Sequence, residues 1–351
     1  MAGLRVVVTG ATGNIGSGLV ARLAADPAVA AVTGIARRPP RDGSPPGVTW
    51  AACDVTRDAG LADVFAGADV IAHLSVLFQP SHRPQRTWST NVLGTSRVLA
   101  AAAAARVPAF VHASSVVAYA PAGPGAGRVA EDHPTHGADP ACAYAREKAY
   151  AERLLDAFEA RNPGVRTVRL RPGLVLSAGS SAHQRRAFGG PFMPSRLPGV
   201  LPAAPGVRFQ VLHSDDAADA FHLAVTRPVT GAFNLAADPP VDAALLARLT
   251  GARTVRVPYA ALRAATAAAW RLRLFATSPW LLDAVAALPL MDTGRAHREL
   301  GWTPAHSAED TLTALLAGLR DRAGADTPPL RGRLPGGGRL REILTGTGGR
   351  A

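Results

Sequence analysis

The sequence predicts an α/β protein built on a doubly wound parallel sheet, followed by a smaller C-terminal region. Two observations predict it. Over the first two thirds of the chain, short β-branched runs alternate with longer alanine-rich segments, the rhythm of successive βαβ units. At the N-terminus, the first of those runs passes through a glycine-rich turn straight into a helical pattern.

Strands are expected at 4–9, 31–36, 48–53, 69–74, 109–114 and 166–171, with helices near 15–25, 61–65, 84–105 and 144–160 between them. Residues 177–205 then lose their period and fill with Gly, Pro, Ser and Arg, which suits a binding loop or lid, before a further strand at 207–212. Residues 258–289 read as amphipathic helix carrying Trp270, Phe275 and Trp280, aromatic residues expected to pack into the core more than to touch a ligand. From 324 onward Gly, Pro and Arg dominate, and a flexible tail is expected. The expected division is therefore 1–176, a nucleotide-binding core; 177–323, a substrate-binding region interleaved with late elements of that core; and 324–351, the tail.

With 351 residues and 48% hydrophobic content the chain can bury a full core. No long apolar run is free of charge, so no membrane span is expected. The N-terminus MAGLRVVVTG enters a strand pattern without the features of a signal peptide, and a cytoplasmic location is expected. Cys53 and Cys142 are too few for a disulfide framework and read as reduced and structural, while the scattered histidines offer no metal site. The formal charge of +12 raises nucleic acid as a partner. Against it, arginine is spread along the whole chain without interleaved aromatic residues, so no nucleic-acid binding is expected.

The first strand runs into TGATGNIG, with Gly10, Gly13 and Gly16 in a GxxGxxG spacing. Glycine permits the sharp turn, the approach of a pyrophosphate to the backbone, and close packing of helix on strand. The unpaired N–H groups at the start of the following helix favour an anion there. These features predict a dinucleotide. The second strand ends in GIARRPP, so Arg37 and Arg38 stand where a carboxylate would hold the ribose hydroxyls of NAD. Two guanidiniums suit a 2′-phosphate, which favours NADP over NAD. Asp54, after the third strand, is a candidate acceptor for the adenine amino group or, equally, a turn cap.

Of the 38 basic residues, Lys148 alone is lysine. It lies in YAREK, four residues after Tyr144, so a helix puts both side chains on one face. A phenol is a poor base near neutrality unless a cation stabilises its ionised form. Lysine brings a compact charge with rotatable donors, which a planar guanidinium does not match. Upstream, FVHASSVVAY ends a strand in Ser114 and Ser115, at the mouth of the expected crevice, with one of the two facing a substrate.

Taken with AHLSV, TNVLGT, LRPGLVL, HSDDAADAF, GAFNLA and RELGWTP, these segments resemble the extended short-chain dehydrogenase/reductase superfamily, the NAD-dependent epimerases and dehydratases, over about residues 4–320. The resemblance implies a Rossmann-type sheet and a nicotinamide cofactor touching Gly10, Gly13, Asn14, Ile15, Gly16, Asp54, Val55 and Leu74. It implies Tyr144 as acid/base, Lys148 holding the nicotinamide ribose and lowering the tyrosine pKa, and Ser115 hydrogen-bonding the substrate oxygen. Asn91 would support the site, Pro172 and Gly173 would lie against the nicotinamide, and Asp216 would be structural. A small-molecule substrate and a homodimer through the helices after the fourth and fifth strands are implied as well.

The chain departs from the family at Ser75 and Val76, where two small residues are usual. Val116 and Val117 replace the Asp and Glu of relatives that eliminate water, which argues against dehydration. A net oxidoreductase, an epimerase with tightly held NAD and a non-catalytic NADP sensor remain, and the Arg37–Arg38 pair together with the retained tyrosine and lysine tilts the reading toward the oxidoreductase. Arg185, Arg186 and Arg196 are candidates to pair with a diphosphate or are simply solvated.

Overall fold

The computed structural model describes residues 3–40, 45–57, 60–78, 82–123, 125–195 and 198–332. Strand β1 (Leu4–Thr9) carries three consecutive valines, all buried. Successive side chains on a strand point to opposite faces, so Val6 and Val8 enter one hydrophobic cluster and Val7 another. That placement makes β1 a central strand covered on both sides.

The strands in chain order are β1, β2 (Val29–Ala36), β3 (Val48–Ala52), β4 (Val70–His73), β5 (Ala109–Ala113), β6 (Arg166–Pro172), β7 (Leu174–Leu176), β8 (Val200–Ala203), β9 (Phe209–His213), β10 (Gly231–Leu235), β11 (Ala237–Val241) and β12 (Arg253–Arg256). Seven of them form the main sheet in the order β3-β2-β1-β4-β5-β6-β10, with every pairing parallel. The order reverses between β1 and β4, and a crevice opens there at the carboxyl ends of the strands. The doubly wound sheet expected from the sequence is thus present. A β11-β9-β7 sheet and a β8-β12 pair build the smaller region.

The helices are α1 (Gly16–Ala25), α2 (Leu61–Phe65), α3 (Pro84–Trp88), α4 (Thr95–Ala104), α5 (Ala143–Arg161), α6 (Ser181–Gln184), α7 (Ser214–Thr226), α8 (Ala243–Thr250), α9 (Tyr259–Arg271), α10 (Pro279–Ala286) and α11 (Ala308–Asp321). Leu19 and Leu23 of α1 and Phe221 of α7 cover the Val6–Val8 face. Phe65 of α2, Val98 of α4 and Leu155 of α5 cover the face of Val7, Ile71 and Phe110. Asp216, in the first turn of α7, accepts the backbone N–H groups of Ala305 and His306, each at 3.0 Å, and so clasps the segment after RELGWTP.

Several elements differ from the sequence-based expectation. The helix expected over 84–105 is interrupted by a π-helical turn, Ser89–Gly94, in which the Thr95 hydroxyl bonds the Asn91 carbonyl at 2.7 Å. The irregular stretch 177–205 contains α6, a second π-helical turn (Arg185–Gly189) and β8. The single helix expected over 258–289 is two, because Ser278 caps the Leu281 N–H at 3.1 Å and Pro279 opens a new first turn. Of its aromatic residues, Trp270 is buried and stacks on His82, whereas Phe275 and Trp280 are exposed. Within the segment expected as a tail, residues 324–332 are described: Leu330 is buried, and Arg186 donates to the carbonyls of Pro329 and Arg331. Residues 333–351 lie outside the described residues. No helix among the described residues is long and apolar enough to cross a membrane.

Candidate active site

The glycine turn is tightly built. Gly10 has φ +70°, and a Cβ there would come within 2.6 Å of the Leu74 carbonyl; a Cβ on Gly16 would come within 2.2 Å of the Gly10 oxygen. Gly13 donates its N–H to the Gly10 carbonyl at 2.9 Å. Helix α1 starts at Gly16 without an acidic residue in its first turn and without a side-chain cap, so no negative side chain opposes an anion at its start. The Asn14 amide is used within the protein. It donates to the Val175 carbonyl and accepts from the Ser214 hydroxyl, which ties the turn to β7 and α7.

A cavity of ≈ 360 Å³ runs from this turn past the ends of β2 to β5 and up to α5. Its wall includes Gly10, Gly13, Asn14, Ile15 and Gly16. Arg37, Asp54, Val55 and Leu74 line it further along, and Ser115, Tyr144, Lys148 and Pro172 lie at the other end. These residues fit a dinucleotide, with glycine and the uncapped start of α1 for the pyrophosphate and hydroxyl and ammonium donors beyond. Two of the expected residues stand apart. Arg38 is exposed and does not line the cavity. Asn91 does not line it either; its side chain bonds both backbone groups of Leu77, at 2.7 and 3.1 Å, and Glu147 at 2.7 Å. Asn91 therefore ties the segment after β4 to α5.

Asp54 lines the cavity and also caps a turn. One carboxylate oxygen accepts from the Thr56 N–H at 2.9 Å and the Thr56 hydroxyl at 2.8 Å. Burial works to raise its pKa, but these bonds and the charges of Arg37 and Arg57 leave it below the usual carboxylate value.

The serine pair separates as β5 ends. Ser114 turns inward and donates to Glu152 at 2.5 Å, whereas Ser115 caps a short 3₁₀ turn through Val117 and stands beside Tyr144. Lys148 is buried and donates to the Ala113 carbonyl at 2.5 Å, with its Nζ 5.9 Å from the centre of the Tyr144 ring. Burial lowers the lysine pKa to about 8 against the opposing pull of Glu152 and Glu147. The expected lowering of the phenol pKa is not seen in this arrangement. Burial pushes Tyr144 up, the Ser115 hydroxyl pulls it down, and the Glu147 charge adds to the rise.

Behind these groups lies a network the sequence reading missed. Arg171 grips Glu152 with two bonds, at 2.9 and 3.0 Å, and also reaches the Tyr119 hydroxyl at 2.9 Å. Arg169 joins at 3.0 Å, and Tyr119 donates to Asn234 of β10 at 2.7 Å. Glu152 is completely buried. Burial would raise its pKa, but the Arg171 pair outweighs that and lowers it to about 2. A signal was available, since Glu152 follows Lys148 by four residues on the same helix face.

The family model described as "NAD dependent epimerase/dehydratase family" matches residues 6–236. An uncharacterized protein of Mycobacterium tuberculosis is 28% identical over 324 residues, covering 92% of this chain and 31% of the relative. A Stigmatella aurantiaca protein, 4-hydroxy-2-methyl-3-oxo-4-farnesyl-3,4-dihydroquinoline-1-oxide ketoreductase, is 36% identical over 122 residues, 35% of each chain. The chain thus spans about a third of the length of these curated relatives. Among solved structures, MoeE5 in complex with UDP-glucuronic acid and NAD superposes with a TM-score of 0.67 at 24% identity, over 90% of this chain and 99% of the other. That likeness shows the fold.

Proposed function

Because the chain belongs to the NAD-dependent epimerase/dehydratase family, we propose that it is a nicotinamide-dependent oxidoreductase interconverting a secondary alcohol and a ketone, with Tyr144 as the acid/base. The observation that carries this reading is the convergence of Ser115, Tyr144 and Lys148 on one cavity that begins at the glycine turn. Val116 and Val117, both buried beside it, bring no further acid or base, which disfavours elimination of water.

The backbone of the glycine turn and the start of α1 would hold the cofactor pyrophosphate, Lys148 its nicotinamide ribose, and Pro172 would lie along the ring. A bound nicotinamide supplies or accepts the hydride. Ser115 and Tyr144 bind the substrate oxygen together, and the phenol Oη passes a proton to it or takes one from it. Since burial holds the phenol protonated, it is suited to act as the acid in the direction of ketone reduction. Asn91, through Leu77, and Glu152, through Ser114, hold the surrounding backbone and side chains in place.

We favour NADP, because Arg37 lines the cavity at the end of β2, and the GIARRPP segment that ends this strand carries no carboxylate of its own. The partial likeness to a ketoreductase fits net reduction. We take 1–176 as the cofactor-binding part and 177–323 as the part that closes over the substrate. A homodimer through α4 and α5 is supported by exposed Leu93 and Tyr150 on that side, and a cytoplasmic location by two free cysteines.

Following NADPH absorbance with a panel of ketones, and analysing the purified protein for retained cofactor, tests the function. Stoichiometric oxidation with free exchange of NADP supports it. Tightly retained NAD with no net turnover would replace it with epimerisation, and cofactor binding without chemistry on any substrate would leave a sensor.

A further inference from the structure

We propose, resting on the reading of this site as a redox catalyst, that the substrate is an apolar ketone or secondary alcohol with a bulky hydrocarbon body and no phosphate. The part of the cavity beyond Tyr144 is walled by Phe78, Phe188, Leu281, Val285, Leu288 and Leu330, drawn from four separate parts of the chain. Phe78 sets its ring edge-on to Tyr144 at 4.7 Å and lies 5.2 Å from Phe188, so the phenol stands at the end of an aromatic wall. Among the described residues lining the cavity, the charged side chains are Arg37, Asp54 and Lys148, which lie at the ends of β2 and β3 and on α5. His183 also lines it, and burial lowers that imidazole to about 4, so it is neutral at pH 7.

A diphosphate buried here would need cationic partners, since an unpaired buried charge is costly. Of the arginines that suggested such pairing, Arg185 and Arg186 are not among the residues lining the cavity. Arg185 donates to the Gly190 carbonyl at 2.8 Å, and Arg186 holds the carbonyls of Pro329 and Arg331 at 2.9 and 3.0 Å. Arg196 lies outside the described residues. By gripping the backbone on either side of Leu330, Arg186 fastens one more apolar wall in place. Gln184, another polar side chain in the lining, gives its amide to the Val175 carbonyl at 3.0 Å. The hydroxyls of Ser115 and Tyr144 are left as the groups that orient a single substrate oxygen among hydrocarbon.

The test reads binding without turnover. The full chain saturated with NADP⁺ is titrated calorimetrically with 2-octanone, 2-decanone and 2-dodecanone, and separately with UDP-glucose and UDP-glucuronic acid. Ketone affinity is expected to rise about fourfold per methylene, while the UDP-sugars give no binding heat. Val285→Lys, at a half-buried position on α10, is expected to weaken 2-dodecanone about tenfold or more and leave the NADP⁺ affinity unchanged. A UDP-sugar that binds more tightly than 2-dodecanone, or ketone affinity independent of chain length, overturns the substrate class and leaves the redox reading standing. Failure of NADP⁺ and NAD⁺ to bind at all sinks the redox reading instead, a result obtained before any ketone is added.

Discussion

Glu152→Gln keeps the shape of the buried side chain and removes its charge. The carboxylate is fully enclosed and is held by Arg171, Arg169 and Ser114, so the amide leaves the buried Arg171 guanidinium without its anion, while Arg169 keeps Asp156 and Glu159. Breaking a buried pair in this way costs about 3–5 kcal/mol. The folded-state pKa of about 2 lies below the ordinary value of 4.5, so the carboxylate's contribution is fully present above pH 4.5 and is lost as pH falls through 2. At pH 3.5, below the ordinary carboxyl value, the wild type should already have given up about 1–2 kcal/mol of it. Urea unfolding at pH 7 and pH 3.5, with both proteins compared at each, measures the difference. The expected gap between wild type and variant is about 3–5 kcal/mol at pH 7 and narrows by about 1–2 kcal/mol at pH 3.5. A gap below about 1 kcal/mol at pH 7, or one that does not narrow, refutes the assignment of Glu152 as the anion holding this network. Glu152 also raises the Lys148 pKa, so the same variant should lower it below about 8.

Tyr144→Phe should cut kcat about 10²–10⁴-fold while cofactor affinity, followed by nicotinamide fluorescence, stays near wild type; full activity would remove the acid/base role. Gly16→Ala should lower stability by about 1–3 kcal/mol or prevent folding, since its Cβ would sit 2.2 Å from the Gly10 oxygen, and thermal melts check it. Arg37→Glu should shift the ratio of kcat/KM for NADPH over NADH by about tenfold or more toward NADH, with Arg38→Glu shifting it less because Arg38 does not line the cavity. Tyr150→Arg, at an exposed position on α5, should convert a dimer to monomer in light scattering; an unchanged mass would place any dimer contact elsewhere.

What the sequence determined by itself was local. An unbroken apolar run such as RVVVT reports on a central strand covered on both faces, and glycines at a GxxGxxG spacing between a strand and a helix report on a turn, so the sheet and its glycine turn were legible before any coordinates. Tyr144 and Lys148 were legible for the same reason, since a four-residue spacing has one meaning on a helix. Only the tertiary structure decided what depends on residues distant in the chain. The pairing of Glu152 with Arg171, the inward turn of Ser114 beside the outward Ser115, and the diversion of Arg186 to the carbonyls around Leu330 are choices of partner, and periodicity carries no information about partners. The phenol's pKa belongs to the same class. Four residues of spacing promised a cation near Tyr144, but desolvation, which is the larger effect, depends on how much of the surrounding protein closes over the ring.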